Sequence, residues 1–336
     1  STAQDIIIDT VDPDLPTISS ASLSNSSTPT LTGTAEVGST VKVVVAGATY
    51  ETTATDGNWS IDTSSTADLD STTTLALNAN GSNTVSVTST DAAGNTSAAA
   101  KQTLTLDTTD ATVSASTDKA DGSYTVGEEI DITLTFDESV TLSGSAGLNI
   151  TLQNGPVTIA TLNVTAAELN GVSTVTKTYT VAAGDTAGDL TVSGVALGTS
   201  ATLQDDAGND ADLSSLTATV GTSDAIIIDT TAPATPTISA ITTPGDDATP
   251  TITITAEAGS TVAVYANGVE LGNATESSTT AGSFSYTSSA LVDGNYSVYA
   301  TSTDTAGNVT ESTAQDIIID TVDPDLPTIS SASLSN

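Results

Sequence analysis

Residues 31–47 read LTGTAEVGSTVKVVVAG, and residues 252–268 read ITITAEAGSTVAVYANG. Each stretch alternates polar with apolar residues, breaks at Ala-Glu-x-Gly, and then alternates again. A period of two puts every second side chain on one face of a strand. The same period runs through Val41-Lys42-Val43, Thr84–Thr88, Ile130–Leu134 and Thr251–Ile254. Thr, Val and Ile are stiff at χ1 and fit a half-buried pleat. Hairpin signals separate the runs: Asp56-Gly57, Asn80-Gly81, Asn154-Gly155, Asn267-Gly268 and Asp293-Gly294. Only Thr165–Leu169 reads as a helical turn, with Thr165 and Glu168 at capping-box spacing. The chain is therefore expected to be all-β.

A longer repeat frames these strands. Residues 1–25, STAQDIIIDTVDPDLPTISSASLSN, recur identically at 312–336, an offset of 311 residues. The sequence thus reads as one period of a tandem array plus an overlap. With no Met at its start, it reads as an internal piece of something longer. A period of this length should hold several domains. Four apolar strands end in Asp-Thr: IIIDT at 6–10, LTLDT at 104–108, IIIDT at 226–230 and IIIDT at 317–321. Pro13, Pro16, Pro233 and Pro236 stiffen the segments that follow. The punctuation gives residues 1–10 as the last strand of a preceding module and then modules at 11–107, 108–229 and 230–320. Residues 321–336 begin the next repeat. The first and third modules resemble each other, and the middle one is longer and different.

Composition narrows the function. There are 41 Asp plus Glu against 4 Lys, no Arg, His, Cys or Met, and a net charge of −37. No thiol, imidazole or guanidinium chemistry is available, so catalytic triads, thiolate or imidazole zinc sites and phosphate clamps are excluded. Nucleic acid and anionic membranes would be repelled, so neither is an expected partner. Val, Ile, Leu and Phe make up 71 of 336 residues. That fraction lies close to the boundary below which highly charged chains stay disordered. Self-repulsion should make folding lean on cations.

The acids concentrate at the module ends. Three loops share a pattern: Asp91-Ala-Ala-Gly-Asn95, Asp206-Ala-Gly-Asn209 and Asp304-Thr-Ala-Gly-Asn308. In a seven-strand sandwich each would join the last two strands, at the pole where the chain arrives from the preceding module. The Ala-Glu-x-Gly turns lie at the same pole. Convergence is expected at the first junction for Asp9, Asp12, Asp14, Glu36, Asp91 and Asn95. At the second it is expected for Asp107, Asp110, Asp137, Glu138, Asp205, Asp206 and Asn209. At the third it is expected for Asp229, Glu257, Asp304 and Asn308. Asp320, Asp323 and Asp325 would begin a fourth. Carboxylates and amide oxygens are hard donors, and Ca2+ takes six to eight of them at flexible geometry, whereas Mg2+ demands a stricter octahedron. The competing explanation is that Asp, Asn and Gly are ordinary turn residues. EF-hand spacing is absent.

These residues resemble a known family. DTTAPATP at 229–236, GTAEVGSTV at 33–41 and T-D-x-A-G-N at 90–95 and 303–308 are similar to bacterial immunoglobulin-like repeats, as found in the extender regions of giant RTX adhesins secreted by the type I pathway. GEEIDITLTFDESV at 127–140, GDTAGDL at 184–190 and LQDDAGNDA at 203–211 resemble a second variety from the same proteins. The resemblance implies tandem immunoglobulin-like β-sandwich modules in an extended rod, with calcium at the junctions and a spacer role at the bacterial cell surface and in biofilms. The implied partners are the neighbouring identical modules of the same chain, in a monomer without a small-molecule substrate or membrane contact of its own. A rod of three modules at about 40 Å each would have a radius of gyration near ~35–38 Å. A compact globule of this length would have about 20 Å.

Two other functions compete with the spacer. Glycan or partner-cell binding would use Trp59 and the tyrosines at 50, 124, 179, 265, 286, 296 and 299 for stacking. Aromatics at 3% of the chain argue against a platform, and Trp59 at a strand start suits a core. A glycosidase would need two carboxylates in a cleft, and here the acids fall at junctions.

Overall fold

A computed structural model describes residues 8–65, 74–217 and 225–328. The expected strand at residues 1–10 falls mostly outside them. Every regular element among the described residues is a strand.

The first module contains β1 (Leu23–Ser24), β2 (Thr30–Thr34), β3 (Thr40–Val45), β4 (Ala48–Thr53), β5 (Asn58–Asp62), β6 (Gly81–Thr90) and β7 (Ala100–Leu106). Period-two patterning decides which faces meet. Val41, Val43 and Val45 of β3 and Leu31 of β2 are at most 1% exposed. One sheet runs β1-β7-β6-β3-β4, and the other is β2-β5. All pairs are antiparallel except β1 with β7, where Leu23 pairs with Thr105. Trp59 of β5 and Tyr50 of β4 fill the space between the sheets. The Trp59 indole N–H donates to the carbonyls of Thr17 (3.2 Å) and Thr34 (3.3 Å), so its polar end is satisfied inside. Gly33 sits over that ring. A Cβ there would lie 1.9 Å from the Thr17 oxygen and 2.6 Å from the indole.

The third module repeats this plan. Thr237–Ile238, Thr251–Thr255, Ser283–Thr287 and Thr275–Glu276 form one sheet. Val269–Asn273, Thr261–Ala266, Gly294–Thr303 and Val309–Glu311 form the other, with Gln315–Ile319 also on Gly294–Thr303. Between them pack Ile252, Ile254, Val262, Val264, Phe284, Val298, Ile317 and Ile319.

The middle module is larger. Its longest strand, Glu129–Ser143, pairs with Asn170–Thr180, Thr112–Thr117 and Thr202–Asp205. A second sheet joins Val157–Val164, Leu148–Asn154 and Thr191–Leu197, and a third joins Thr186–Ala187, Ile226–Asp229 and Gly122–Tyr124. Ile130, Ile132, Leu134, Leu148, Ile150 and Leu152 are fully buried between them. The segment at 165–169 is a single turn. The Thr165 N–H and hydroxyl both donate to Glu168 Oε2 at 2.8 Å, and the Glu168 N–H donates to the Thr165 carbonyl at 3.0 Å.

Among the described residues the three hydrophobic clusters share no residue, and no strand pairing joins one to another. The chain is thus a tandem series of β-sandwich modules. Burying a Val, Leu or Ile is worth roughly 1.5–3 kcal/mol. Concentrating such residues on single strand faces lets a sparsely apolar sequence form three cores.

Candidate linker and cation site at the module junctions

Only the first D-x-A-G-N loop joins the last two strands of its module; in the middle and third modules two strands follow the loop. Asp91–Asn95 lies between β6 and β7, and Asp304–Asn308 follows Gly294–Thr303. Each loop is closed by its acid. Asp91 Oδ1 accepts from the N–H groups of Ala93 and Asn95, both at 2.8 Å. Asp304 Oδ1 accepts from Ala306 and Asn308, both at 2.9 Å. In the middle module the closing acid is Asp205, whose Oδ1 accepts from Gly208 (2.6 Å) and Asn209 (2.9 Å). Asp206 takes none of these loop bonds.

The asparagine then reaches across the junction. Asn95 Nδ2 donates to the Asp9 carbonyl at 3.2 Å, Asn209 Nδ2 to the Asp107 carbonyl at 3.0 Å and Asn308 Nδ2 to the Asp229 carbonyl at 3.0 Å. The same nitrogen donates to its own loop acid, at 2.8 Å from Asp91 and Asp205 and 2.9 Å from Asp304. The amide bond to Asp91 is the main reason that carboxyl titrates below the usual range. Asn308 Oδ1 also accepts from the Thr125 hydroxyl of the middle module. Gly208, at φ +95°, brings its loop close to Asn25 of the first module. A Cβ on it would sit 3.5 Å from Asn25 Nδ2.

The junction Asp side chains bend back on the linker. Asp9 Oδ1 accepts from Val11 N–H, Asp107 Oδ1 from Thr109, Asp229 Oδ1 from Thr231 and Asp320 Oδ1 from Val322, at 2.9–3.2 Å. The Thr of three of the Asp-Thr pairs, Thr108, Thr230 and Thr321, is held by its own module. Asn80 Oδ1 accepts from Thr108 N–H (2.7 Å) and its hydroxyl (3.0 Å). Asp293 Oδ1 accepts from Thr321 N–H (3.0 Å) and its hydroxyl (2.8 Å). Thr230 Oγ1 accepts from Gly184 N–H (3.1 Å) and donates to the Asp185 carbonyl (3.0 Å). Sequence reasoning missed Asn80 and Asp293 as junction residues, because Asn-Gly and Asp-Gly read only as turns.

At the second junction, three acids come together. Oxygens of Asp107, Glu138 and Asp205 lie within 4.8 Å of one another, with Asp205 buried and the other two half-buried. Asp107 and Glu138 line a cleft of about 380 Å³, together with Asn80 of the first module and Asp137 of the second. Burial, and then the charges of Asp205, Asp107, Asp137 and Asp206, raise the Glu138 pKa. Asp137 is engaged elsewhere: its carboxylate accepts from Thr112 N–H and hydroxyl, each at 2.7 Å, and is lowered by those bonds. Asp110 is not in the group. The donor set fits a hard divalent cation. Oxygens bound on opposite sides of Ca2+ are about 4.8 Å apart.

Among the described residues no such trio forms at the other junctions. At the first, Asp12, Asp14 and Glu36 are exposed. At the third, Glu257 Oε2 accepts from Ala234 N–H at 3.3 Å, while Asp229 and Asp304 serve their own turns. Asp320, Asp323 and Asp325 are exposed at the far end. The difference at the second junction is Glu138, which the long Glu129–Ser143 strand carries to the interface.

The aromatic residues proposed for sugar stacking divide. Trp59, Tyr50 and Tyr179 are 2–4% exposed and belong to cores, so they offer no stacking face. Tyr265 and Tyr299 stack on each other across neighbouring strands, with centroids 4.9 Å apart. Tyr124, Tyr286 and Tyr296 each donate their hydroxyl to a main-chain carbonyl, of Ala120, Leu271 and Val292.

A sequence profile described as bacterial Ig-like domain matches residues 3–108 and 234–321, which is more than half of the chain. The chain belongs to the bacterial Ig-like domain family. The two matched segments of this bacterial Ig-like chain span the first and third modules, and the profile leaves the middle one unmatched. No curated protein matches it. Among solved structures it is similar to a domain of a 1.5-MDa bacterial ice-binding adhesin, at 22% identity and TM-score 0.39, covering 87% of this chain and 91% of that one. It is also similar to the fibronectin(III)-like modules of Clostridium thermocellum CbhA, at 18% identity and TM-score 0.30, covering 61% and 92%. The ICAM-5 ectodomain fragment gives 11% identity and TM-score 0.31, covering 91% and 76%. TM-scores this low carry no argument about function.

Proposed function

We propose that this chain is a structural extender, a spacer segment of a bacterial surface adhesin that holds a distal ligand-binding domain away from the cell. The observation that carries the reading is the linker itself. At the second and third junctions one module holds the Thr and the next holds the Asp carbonyl beside it. A segment gripped from both sides favours a fixed angle between modules, which is what a spacer needs. The identical residues 1–25 and 312–336 suit repetition of the unit.

Calcium is the proposed stiffener, with Asp107, Glu138 and Asp205 as its protein ligands at the second junction. The ion would supply positive charge where three carboxylates crowd. Export into a calcium-rich exterior would couple ion binding to assembly. At ligand 100-fold above its dissociation constant, one site adds about 2.7 kcal/mol.

Small-angle scattering in excess calcium and in chelator tests both parts. A radius of gyration near ~35–38 Å in calcium supports the rod, whereas a value near ~20 Å refutes it. If neither shape nor melting temperature responds to calcium, the ion is not part of the function.

A further inference from the structure

We propose that Asn95, Asn209 and Asn308 are linker clamps that set the angle between modules by direct hydrogen bonds, without any ion. The inference rests on the extender reading and adds a second, cation-independent source of rigidity to it.

The chemistry follows from the donor count of a primary amide. An Asn side chain has two N–H donors on one nitrogen, in the plane of the amide. In all three loops one donor is fixed on the carboxylate four residues earlier, Asp91, Asp205 or Asp304. That charge-assisted bond is strong and directional, and the loop acid is itself locked by backbone N–H groups. With one donor pinned, the other points one way, and in each case it meets the carbonyl of the preceding junction Asp. The D-x-A-G-N spacing is thus a device that presents a single oriented N–H to the incoming chain.

The residue types are restrictive. Aspartate at the Asn position has no donor and would repel the loop acid. Glutamine would move the amide one methylene further out. The acceptor is a main-chain carbonyl, so the clamp does not depend on the linker's side chains. This explains how one loop motif serves linkers as different as VDPDLP, TDATVS and TAPATP. Asn308 adds a further contact, since its Oδ1 accepts from Thr125 of the middle module.

The test uses the full chain, whose lack of cysteine lets spin labels be placed cleanly. Labels at Ser60→Cys and Thr174→Cys, both exposed strand positions, report the distance between the first two modules. Distance distributions are recorded in chelator and in excess calcium, and calorimetry checks that each module stays folded. In chelator the parent should give a narrow distribution. Asn209→Ala should at least double its width while the melting of the modules is retained. A parent that is already broad in chelator, or an Asn209→Ala variant as narrow as the parent there, overturns the clamp. If Asn209→Ala unfolds the middle module, Asn308→Ala with labels at Thr174→Cys and Thr253→Cys gives the same reading at the third junction. Failure of the calcium reading looks different: the parent distribution would be narrow and identical in chelator and calcium.

Discussion

Glu138→Gln should change the sign of its effect with calcium. Glu138 shares a site with Asp107 and Asp205, with their oxygens within 4.8 Å. Two unit charges at that separation repel by about 1 kcal/mol at the dielectric of water and by about 3 kcal/mol at an effective value of 20. Asp107 and Glu138 are half-buried and Asp205 is buried, so the lower figure is a minimum. Removing the Glu138 charge relieves two such pairs, or at least about 2 kcal/mol. For a module of this size that is roughly 5–10 °C in melting temperature. In chelator, Glu138→Gln should therefore melt above the parent. In excess calcium it loses an anionic ligand and should melt below the parent. Calorimetry of both proteins in both buffers, at low and moderate salt, measures the four values. Added salt should shrink the chelator gain, because it screens exposed charges. A variant less stable than the parent in chelator would refute the repulsion. A gain of equal size in both buffers would remove calcium from this cleft.

Gly33→Ala drives a methyl group against the Thr17 carbonyl and the Trp59 ring. Overpacking of this kind costs about 1–3 kcal/mol, readable in a urea melt followed by the chain's one Trp; an unshifted midpoint would show that the contact relaxes freely. Asn80→Ala removes both bonds to Thr108 and should cost about 1 kcal/mol in the first module, leaving the melting of the third unchanged. Acid should weaken the middle module through Glu168, whose carboxyl is lowered to about 2, chiefly by the Lys177 ammonium 2.8 Å away. A depressed acid stabilises above its unfolded pKa, so this contribution is present above pH 4.5 and lost as the pH falls toward about 2. Glu168→Gln should flatten that part of the pH profile, and a profile identical to the parent's would refute the assignment. Glu138 works in the opposite direction. Its raised pKa means that acid relieves the second junction, so this term stabilises as pH falls through that pKa.

The β-sandwich was legible because strand period and burial agree. Val41, Val43 and Val45, and likewise Ile252 and Ile254, alternate in sequence and are the buried faces in space. The loop pattern was legible too, since D-x-A-G-N stands at the C-terminal end of Gly81–Thr90, Thr202–Asp205 and Gly294–Thr303. The function of its two polar residues was not. The sequence reading put Asp206 into the middle loop as its acid, whereas Asp205 closes it, because only Asp205 stands four residues before Asn209 and at the end of its strand. Asn80 and Asp293 were read as turn residues, which they are, but their side-chain oxygens also hold Thr108 and Thr321.

Sequence alone determined the chemistry available, namely oxygen donors and amides without thiol, imidazole or guanidinium, together with the strand pattern and the repeat. All three are written in residue identity and order along the chain. Tertiary structure decided which acids meet. Of the acids proposed at three junctions, a trio of carboxylates converges at one among the described residues. Each loop acid takes N–H groups of its own loop, Asp205 as much as Asp91 and Asp304, so the loop alone does not decide the meeting. Charges are brought together only where a strand from the next module carries one in, as the long strand of the middle module carries Glu138. That depends on distances between residues far apart in the chain, which composition and spacing do not encode.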